Sequence, residues 1–341
     1  MKRPLIIFRT EGGATIGLGH IRRSMSLAEE LCKRGAEIQF LVNRDPSAID
    51  ILRRHSFDVM GVGEGDERDL RETLAMIDRS EARGIVIDSY RIRDLSPLRG
   101  HGAISCVIDD LADRSLPVDL IVNGSACAPD LVYRKSSQTR LMLGAAYTIL
   151  REEFSHFPPR KIRESVARVM ITTGGTDSSA LTPDLIRWSR EALPTASLDV
   201  VVGPFFGDRT RREVAQIAQD DQLVAMHIDP IDPCGLMLAC DLAITGGGQT
   251  TYEFAATGTP ALGIKLVENQ AGNLASLSFA GALVWVGGGG DADLGEQLVR
   301  ASKELANSMR TRDEMSRAGR ALVDGLGATR VAQAVLEACA R

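Results

Sequence analysis

The chain has 341 residues, 44% of them hydrophobic and 25% charged, and carries a net charge of −5. With no dense basic tract and only 4% aromatic residues, it argues against a nucleic-acid surface built on phosphate contacts and base stacking. No apolar run approaches the ~18 residues of a membrane span, the N-terminus reads as a strand and not a signal peptide, and six scattered cysteines without a C-x-x-C pair predict free thiols in a reducing cytoplasm.

This length predicts two domains of about 150 residues each. The first apolar run, Leu5–Phe8, predicts a strand, followed by the polar turn Arg9-Thr10-Glu11-Gly12-Gly13. Gly17-Leu18-Gly19-His20-Ile21-Arg22-Arg23 then opens a helix. Its apolar residues Ile21, Met25, Ala28, Leu31 and Cys32 fall on one face, and Gly35 ends it. His20 therefore stands where a loop becomes a helix at the carboxyl edge of the first strand, the edge where open α/β sheets bind ligands. The helix dipole there disfavours a second positive charge, so a neutral imidazole is a candidate general base. The alternative is a histidine that caps the helix or packs in the loop.

Apolar runs continue at Ile38–Val42, Ile85–Ile87, Ile104–Ile108, Leu120–Val122 and Leu141–Leu143. They resume at Val169–Thr172, Leu198–Val202, Val224–His227, Leu242–Ile244, Ala261–Leu266 and Leu283–Val286. Many are continuous instead of alternating, which predicts parallel strands buried on both faces and two doubly wound α/β units in tandem. The stretch from Glu152 to Lys161, with two prolines and a charge cluster, predicts a linker. The expected division is residues 1–151, a linker at 152–163, and a second domain at 164–341 with a helical tail from Leu294.

Acids end two strands of the first half, in Ile87-Asp88-Ser89-Tyr90 and Ile108-Asp109-Asp110. Such acids often cap helices, while Tyr90 is a candidate for orienting a substrate or an attacking water. No His or Glu falls at ligand spacing beside the aspartates, so no metal site is predicted. In the second half, Val169 to Asp177 reads as a strand and a glycine turn at Gly174, Gly175 and Thr176, with a following helix that favours phosphate. It lacks both G-x-G-x-x-G and a Walker lysine. Gly246-Gly247-Gly248-Gln249-Thr250-Thr251 joins a buried strand to a helix closed by Gly258 and Pro260. Amides, hydroxyls and dipole together suit a diphosphate. Glu253, one turn on, has the reach for ribose hydroxyls, or is a solvated glutamate on a packing turn. Asn269 and Gln270, after the next strand, are candidates for sugar or phosphate contacts or for a helix cap.

The ordered set of motifs carries a resemblance. It runs through Phe8-Arg9-Thr10-Glu11, Ile16-Gly17-Leu18-Gly19-His20, Asp88-x-Tyr90 and Ile108 to Arg114. It continues in Leu143-Gly144 with Tyr147, Leu150-Arg151 and Phe154, then Gly174 to Asp177, Gly246 to Glu253 and Glu268-Asn269-Gln270. The chain resembles the UDP-2,4-diacetamido-2,4,6-trideoxy-β-L-altropyranose hydrolases of pseudaminic acid biosynthesis. It is similar as well to spore-coat polysaccharide biosynthesis proteins and, more distantly, to the glycosyltransferase that makes lipid II.

The resemblance implies a GT-B architecture, with two Rossmann-like doubly wound parallel-sheet domains facing across a cleft. It implies a UDP-sugar substrate and UDP product, no cofactor, and metal-independent, inverting attack of water at the anomeric carbon. His20 would be the base. Gly17, Gly19, Arg23, Tyr90, Asn269 and Gln270 would line the sugar. Gly174, Gly175, Thr176, Gly246, Gly247, Gly248, Gln249, Thr250 and Glu253 would bind the nucleotide. A glycosyltransferase using an acceptor hydroxyl, or a non-catalytic nucleotide-sugar-binding protein, are the competing expectations.

Overall fold

A computed structural model describes residues 3–13, 16–63 and 66–340. Runs of branched apolar residues have no polar face to turn to water, so they become strands covered by helices on both sides. In the first part of the chain these are β1 (Leu5–Thr10), α1 (Gly19–Lys33), β2 (Glu37–Asn43), α2 (Pro46–Arg54), β3 (Asp58–Val62), α3 (Asp66–Ser80) and β4 (Gly84–Asp88). There follow β5 (Ile104–Ile108), β6 (Ser115–Leu116), β7 (Leu120–Asn123), β8 (Arg134–Lys135) and β9 (Arg140–Leu143). Seven of them pair in the order β3-β2-β1-β4-β5-β7-β9, while β6 and β8 form a separate short pair. The pairings are parallel, and β1 meets β4 with Thr10 beside Asp88.

The second part runs β10 (Arg168–Thr172), α4 (Thr182–Ala192), β11 (Ser197–Val202), α5 (Asp208–Asp220), β12 (Val224–Ile228), α6 (Pro233–Ala239) and β13 (Leu242–Gly246). It continues with α7 (Thr250–Thr257), β14 (Ala261–Lys265), α8 (Ala271–Phe279), β15 (Val284–Gly288), α9 (Leu294–Ala306), α10 (Met309–Leu322) and α11 (Gly327–Cys339). Its sheet order is β12-β11-β10-β13-β14-β15, that of the doubly wound nucleotide-binding folds. Strand order reverses between β1 and β4 and again between β10 and β13. Ligands of such sheets sit at those switch points, outside the carboxyl strand ends.

Each predicted apolar run falls on a strand of one of these sheets, with Leu266 and Leu283 just outside β14 and β15. The edge strand β3 is not among the predicted runs, because Asp58 and Met60 are exposed and only Val62 is buried, so it carries no continuous apolar run. The predicted helix face holds for Ile21, Met25, Ala28 and Leu31, but Cys32 is exposed and Leu27 is buried in its place.

The chain divides into two compact units, residues 1–152 with 325–341 and residues 153–324. The sequence instead groups 164–341 together. The difference is α11, whose Val331, Ala332 and Val335 share a core with Leu27, Ala28 and Leu31 of α1. Thr329 Oγ1 also donates to Glu30 Oε1 at 2.9 Å, and Arg83 Nη2 to the Cys339 carbonyl at 2.8 Å. Fully burying a valine contributes about 1.5–3 kcal/mol, so Val331 and Val335 anchor the helix to the first unit. The proline-bearing stretch expected as a linker is tied to the second unit. Arg160 donates to Thr259 Oγ1 at 2.8 Å, and Arg320 holds the Phe157 and Pro158 carbonyls. Among the described residues no helix is long and apolar enough to cross a membrane.

Candidate active site

The described residues between β1 and α1 are tied down by hydrogen bonds. Gly12 N donates to Asn43 Oδ1 and Asn43 Nδ2 returns a bond to the Gly12 carbonyl, both at 2.9 Å. Gly13 and Gly17 exchange backbone bonds of 3.1 and 2.7 Å. These amides are occupied, so this stretch does not cradle a phosphate with them. What it does is deliver Gly19 and His20 to the start of α1. Gly17, at φ +84°, turns the chain in a conformation that costs glycine little. Among the described residues nothing stands within 4 Å of where a side chain on Gly17 or Gly19 would project.

His20 is not a helix cap: the N-cap is Leu18, with no side-chain bond. The imidazole turns to the end of β4, where Nδ1 lies 2.6 Å from Asp88 Oδ1. Asp88 is fully buried and held from the other side by Arg23, Nε to Oδ2 and Nη2 to Oδ1, both at 2.6 Å. Ser24 Oγ adds a 3.3 Å bond. Burial pushes the Asp88 carboxyl up, but Arg23 and His20 overcome it and hold it well below the usual carboxylate range. A carboxylate only accepts, so the proton of neutral His20 is assigned to Nδ1 and the lone pair to Nε2. Arg23 Nη2, 3.1 Å from Nδ1, then serves Asp88 and not the ring. Nε2 has no hydrogen-bond partner among the described residues.

Arg23 also reaches Asp110, with Nη1 2.9 Å from Oδ1. Asp110 in turn accepts the hydroxyl of Tyr90, whose ring stands edge-on to His20 with centroids 4.6 Å apart. Burial, then the Asp110 carboxylate, push the Tyr90 hydroxyl well above its ordinary range, so it stays protonated. Glu11, buried at the end of β1, accepts the Tyr90 amide at 3.2 Å. Each Arg23 nitrogen faces a carboxylate, which makes Arg23 a brace between Asp88 and Asp110. Asp109 points elsewhere and caps the Ala112 amide at 2.7 Å.

In the second unit the two glycine turns differ. At Gly174, φ is +99° and nothing lies within 4 Å of a side chain built on Gly174 or Gly175. The expected phosphate-binding helix does not follow directly. α4 begins only at Thr182, and Asp177 already fills its N-terminus by accepting from Leu181 N at 3.0 Å and Thr182 N at 2.9 Å. A contribution from Gly174, Gly175 and Thr176 therefore rests on backbone and the exposed Thr176 side chain, without a helix start.

The turn at Gly246–Thr250 leads straight into α7, which Gly258 closes in the left-handed conformation at φ +67°. Thr251 turns its hydroxyl back to the Gly248 carbonyl at 2.7 Å, leaving Thr250 as the outward hydroxyl of the pair. Among the described residues no acceptor takes the N–H of Gly248 or Thr250. Gln270 Oε1 accepts from Gly247 N at 3.2 Å and Leu266 N at 2.9 Å. That fixes its amide orientation and sets Nε2 3.8 Å from where a Gly248 side chain would begin. Asn269 is exposed in the short turn Glu268–Gln270 and does not cap α8. Glu253 is partly exposed in the first turn of α7, and Gln249 stands at its N-cap.

His20, Arg23 and Tyr90 are thus brought together in the first unit. In the second unit Gly246 to Thr250 and Gln270 are joined by direct hydrogen bonds or chain continuity. Sequence reasoning names Asp88 and Asp110 without pairing them to His20. The signal is topological: in a doubly wound sheet the strand after the crossover returns beside β1, so an acid at its end meets the residue that follows β1. It misses Asn273 altogether. This buried amide donates to the Gly247 carbonyl at 3.0 Å and accepts the Tyr252 hydroxyl. Its only sequence signal is a polar residue on the inner face of α8.

No family model matches the chain. The spore coat polysaccharide biosynthesis protein SpsG of Bacillus subtilis is 24% identical over 336 residues, 94% of either chain. The UDP-2,4-diacetamido-2,4,6-trideoxy-β-L-altropyranose hydrolase of Campylobacter jejuni is 25% identical over 177 residues, 50% of this chain and 61% of that one. An uncharacterized protein of Methanocaldococcus jannaschii, MJ1062, is 26% identical over 76% of this chain, which spans only 55% of its length. Among solved structures, MurG of Acinetobacter baumannii superposes with a TM-score of 0.68 at 13% identity, over 98% of this chain and 100% of its own. The fold is GT-B. The calicheamicin glycosyltransferase CalG4 superposes similarly, with a TM-score of 0.67 at 14% identity over 100% and 99% of the two chains. The chain therefore combines a GT-B fold with distant sequence likeness to SpsG and to the C. jejuni hydrolase.

Proposed function

We propose that this GT-B protein acts on a nucleotide sugar, and specifically that it hydrolyses a UDP-linked 2,4-diacetamido-2,4,6-trideoxy sugar to free sugar and UDP. The observation that carries the reading is the His20–Asp88 pair, in which a buried carboxylate 2.6 Å from Nδ1 leaves Nε2 as an unengaged base. Water attacks the anomeric carbon as Nε2 takes its proton. The bond from that carbon to the phosphate oxygen breaks with inversion, and its electron pair leaves with UDP. Asp88 stabilises the imidazolium formed, as an orienting carboxylate does in His–Asp pairs. The N–H groups of Gly248 and Thr250 and the positive end of α7 stabilise charge growing on the diphosphate. Gly174, Gly175, Thr176 and Gln249 complete the nucleotide site, and Glu253 binds the ribose. Tyr90 and Asn269 contact the sugar, while Arg23 and Gln270 hold the two sites in shape.

The likeness to the C. jejuni hydrolase supports water as the nucleophile, while the GT-B neighbours include glycosyltransferases. The test is UDP release from UDP-2,4-diacetamido-2,4,6-trideoxy-β-L-altropyranose with no acceptor added. Release that His20→Ala abolishes, with circular dichroism unchanged, supports hydrolysis. Turnover only on adding a sugar or lipid acceptor means transfer. Binding without turnover under either condition sinks both enzymatic readings.

A further inference from the structure

Resting on that reading, we propose that Asp110 sets the choice of nucleophile, by committing the Tyr90 hydroxyl as a donor so that the pocket beside His20 accepts water better than an alcohol. Asp110 accepts the Tyr90 O–H and is held in place by Arg23 Nη1 at 2.9 Å. A carboxylate has no proton to give back. Tyr90, protonated and with its one hydrogen engaged, shows its surroundings only a lone pair. His20 Nε2, with Nδ1–H on Asp88, likewise shows only a lone pair. The two rings are in edge contact, 4.6 Å between centroids, and the proposed seat for the nucleophile is where it meets both acceptors.

Water has two hydrogens and satisfies both while an oxygen lone pair stays directed at carbon. An alcohol has one hydrogen; with that on Nε2, its oxygen opposes the Tyr90 oxygen, lone pair against lone pair. Sites with a fixed polar demand reject analogues that cannot meet it. Asp110 is a positioning residue in this scheme, since it acts through Tyr90.

The experiment partitions one glycosyl donor between two nucleophiles. UDP-2,4-diacetamido-2,4,6-trideoxy-β-L-altropyranose is turned over in aqueous methanol, and the ratio of methyl glycoside to free sugar is measured. In methanolysis the methanol oxygen forms the bond to the anomeric carbon, its proton passes to His20, and UDP leaves as before. Wild type should give almost entirely free sugar. Asp110→Ala frees the Tyr90 hydroxyl to donate to the incoming oxygen, and Tyr90→Phe removes the opposing lone pair. Each should raise the ratio about tenfold even as total turnover falls. A purely structural role for Asp110 lowers both products together. An unchanged ratio in both variants, or methyl glycoside already abundant with wild type, overturns the proposal while the hydrolase reading stands. Absence of UDP release by wild type overturns that reading and this proposal with it.

Discussion

The chain carries glycine-rich turns at the carboxyl ends of β1 and of β13, alike in composition and different in how their amides are paired. In the first, side-chain and backbone partners occupy Gly12, Gly13 and Gly17. In the second, the amides of Gly248 and Thr250 find no partner among the described residues. The paired amides of Gly12, Gly13 and Gly17 brace the chain just before His20. A turn whose donors are open at a helix start is a seat for an anion.

The comparison is most exposed at His20. His20→Ala should lower UDP release about 1000-fold with UDP affinity, measured by calorimetry, unchanged within about threefold. Loss of UDP binding in this variant would mean that the first turn holds the nucleotide after all.

Asp88→Asn should destabilise the first unit by about 3 kcal/mol, because it breaks a buried ion pair. The folded carboxyl lies below its unfolded value near 3.9, so its stabilisation is fully present above that pH. It is lost as pH falls toward the folded value. Urea midpoints should therefore show the same wild-type–variant gap at pH 7 and pH 5, narrowing at pH 3. A gap constant to pH 3 would place the Asp88 proton elsewhere.

Gly13→Ala should cost about 2–3 kcal/mol. Gly13 sits at φ +135°, and a methyl group there runs into the Asp45 carboxylate, which caps α2 through Ser47 N and Ala48 N. Asn43→Ala removes both bonds to Gly12 and should cost about 1–3 kcal/mol. Either midpoint remaining at the wild-type value would show that the first turn is not held as described.

The architecture was legible because parallel strands buried on both faces announce themselves as continuous apolar runs. Ile104–Ile108 is read from sequence with its observed bounds. Where that physics is absent, so is the signal. β3 lies at a sheet edge with only Val62 buried, and α11 follows the helices of the second unit in sequence yet packs on α1. His20 and Tyr90 were visible from their places after strand ends. The partners that give them chemistry were not, since Asp88 lies 68 residues from His20 and Asp110 87 residues from Arg23. Only the β1–β4 pairing brings the first of these together. Asp177 shows the reverse case: a glycine turn with the right residues whose following helix is already capped by its own side chain.

The division of labour between the two units is tested most directly by steady-state UDP release from His20→Ala and Gly175→Ala side by side. A methyl group on Gly175 meets nothing within 4 Å, so stability should stay within about 0.5 kcal/mol of wild type. Gly175→Ala should raise KM about tenfold with kcat nearly unchanged, by obstructing the nucleotide. His20→Ala should lower kcat with KM nearly unchanged. The opposite assignment, a kcat defect in Gly175→Ala and a KM defect in His20→Ala, would contradict the account.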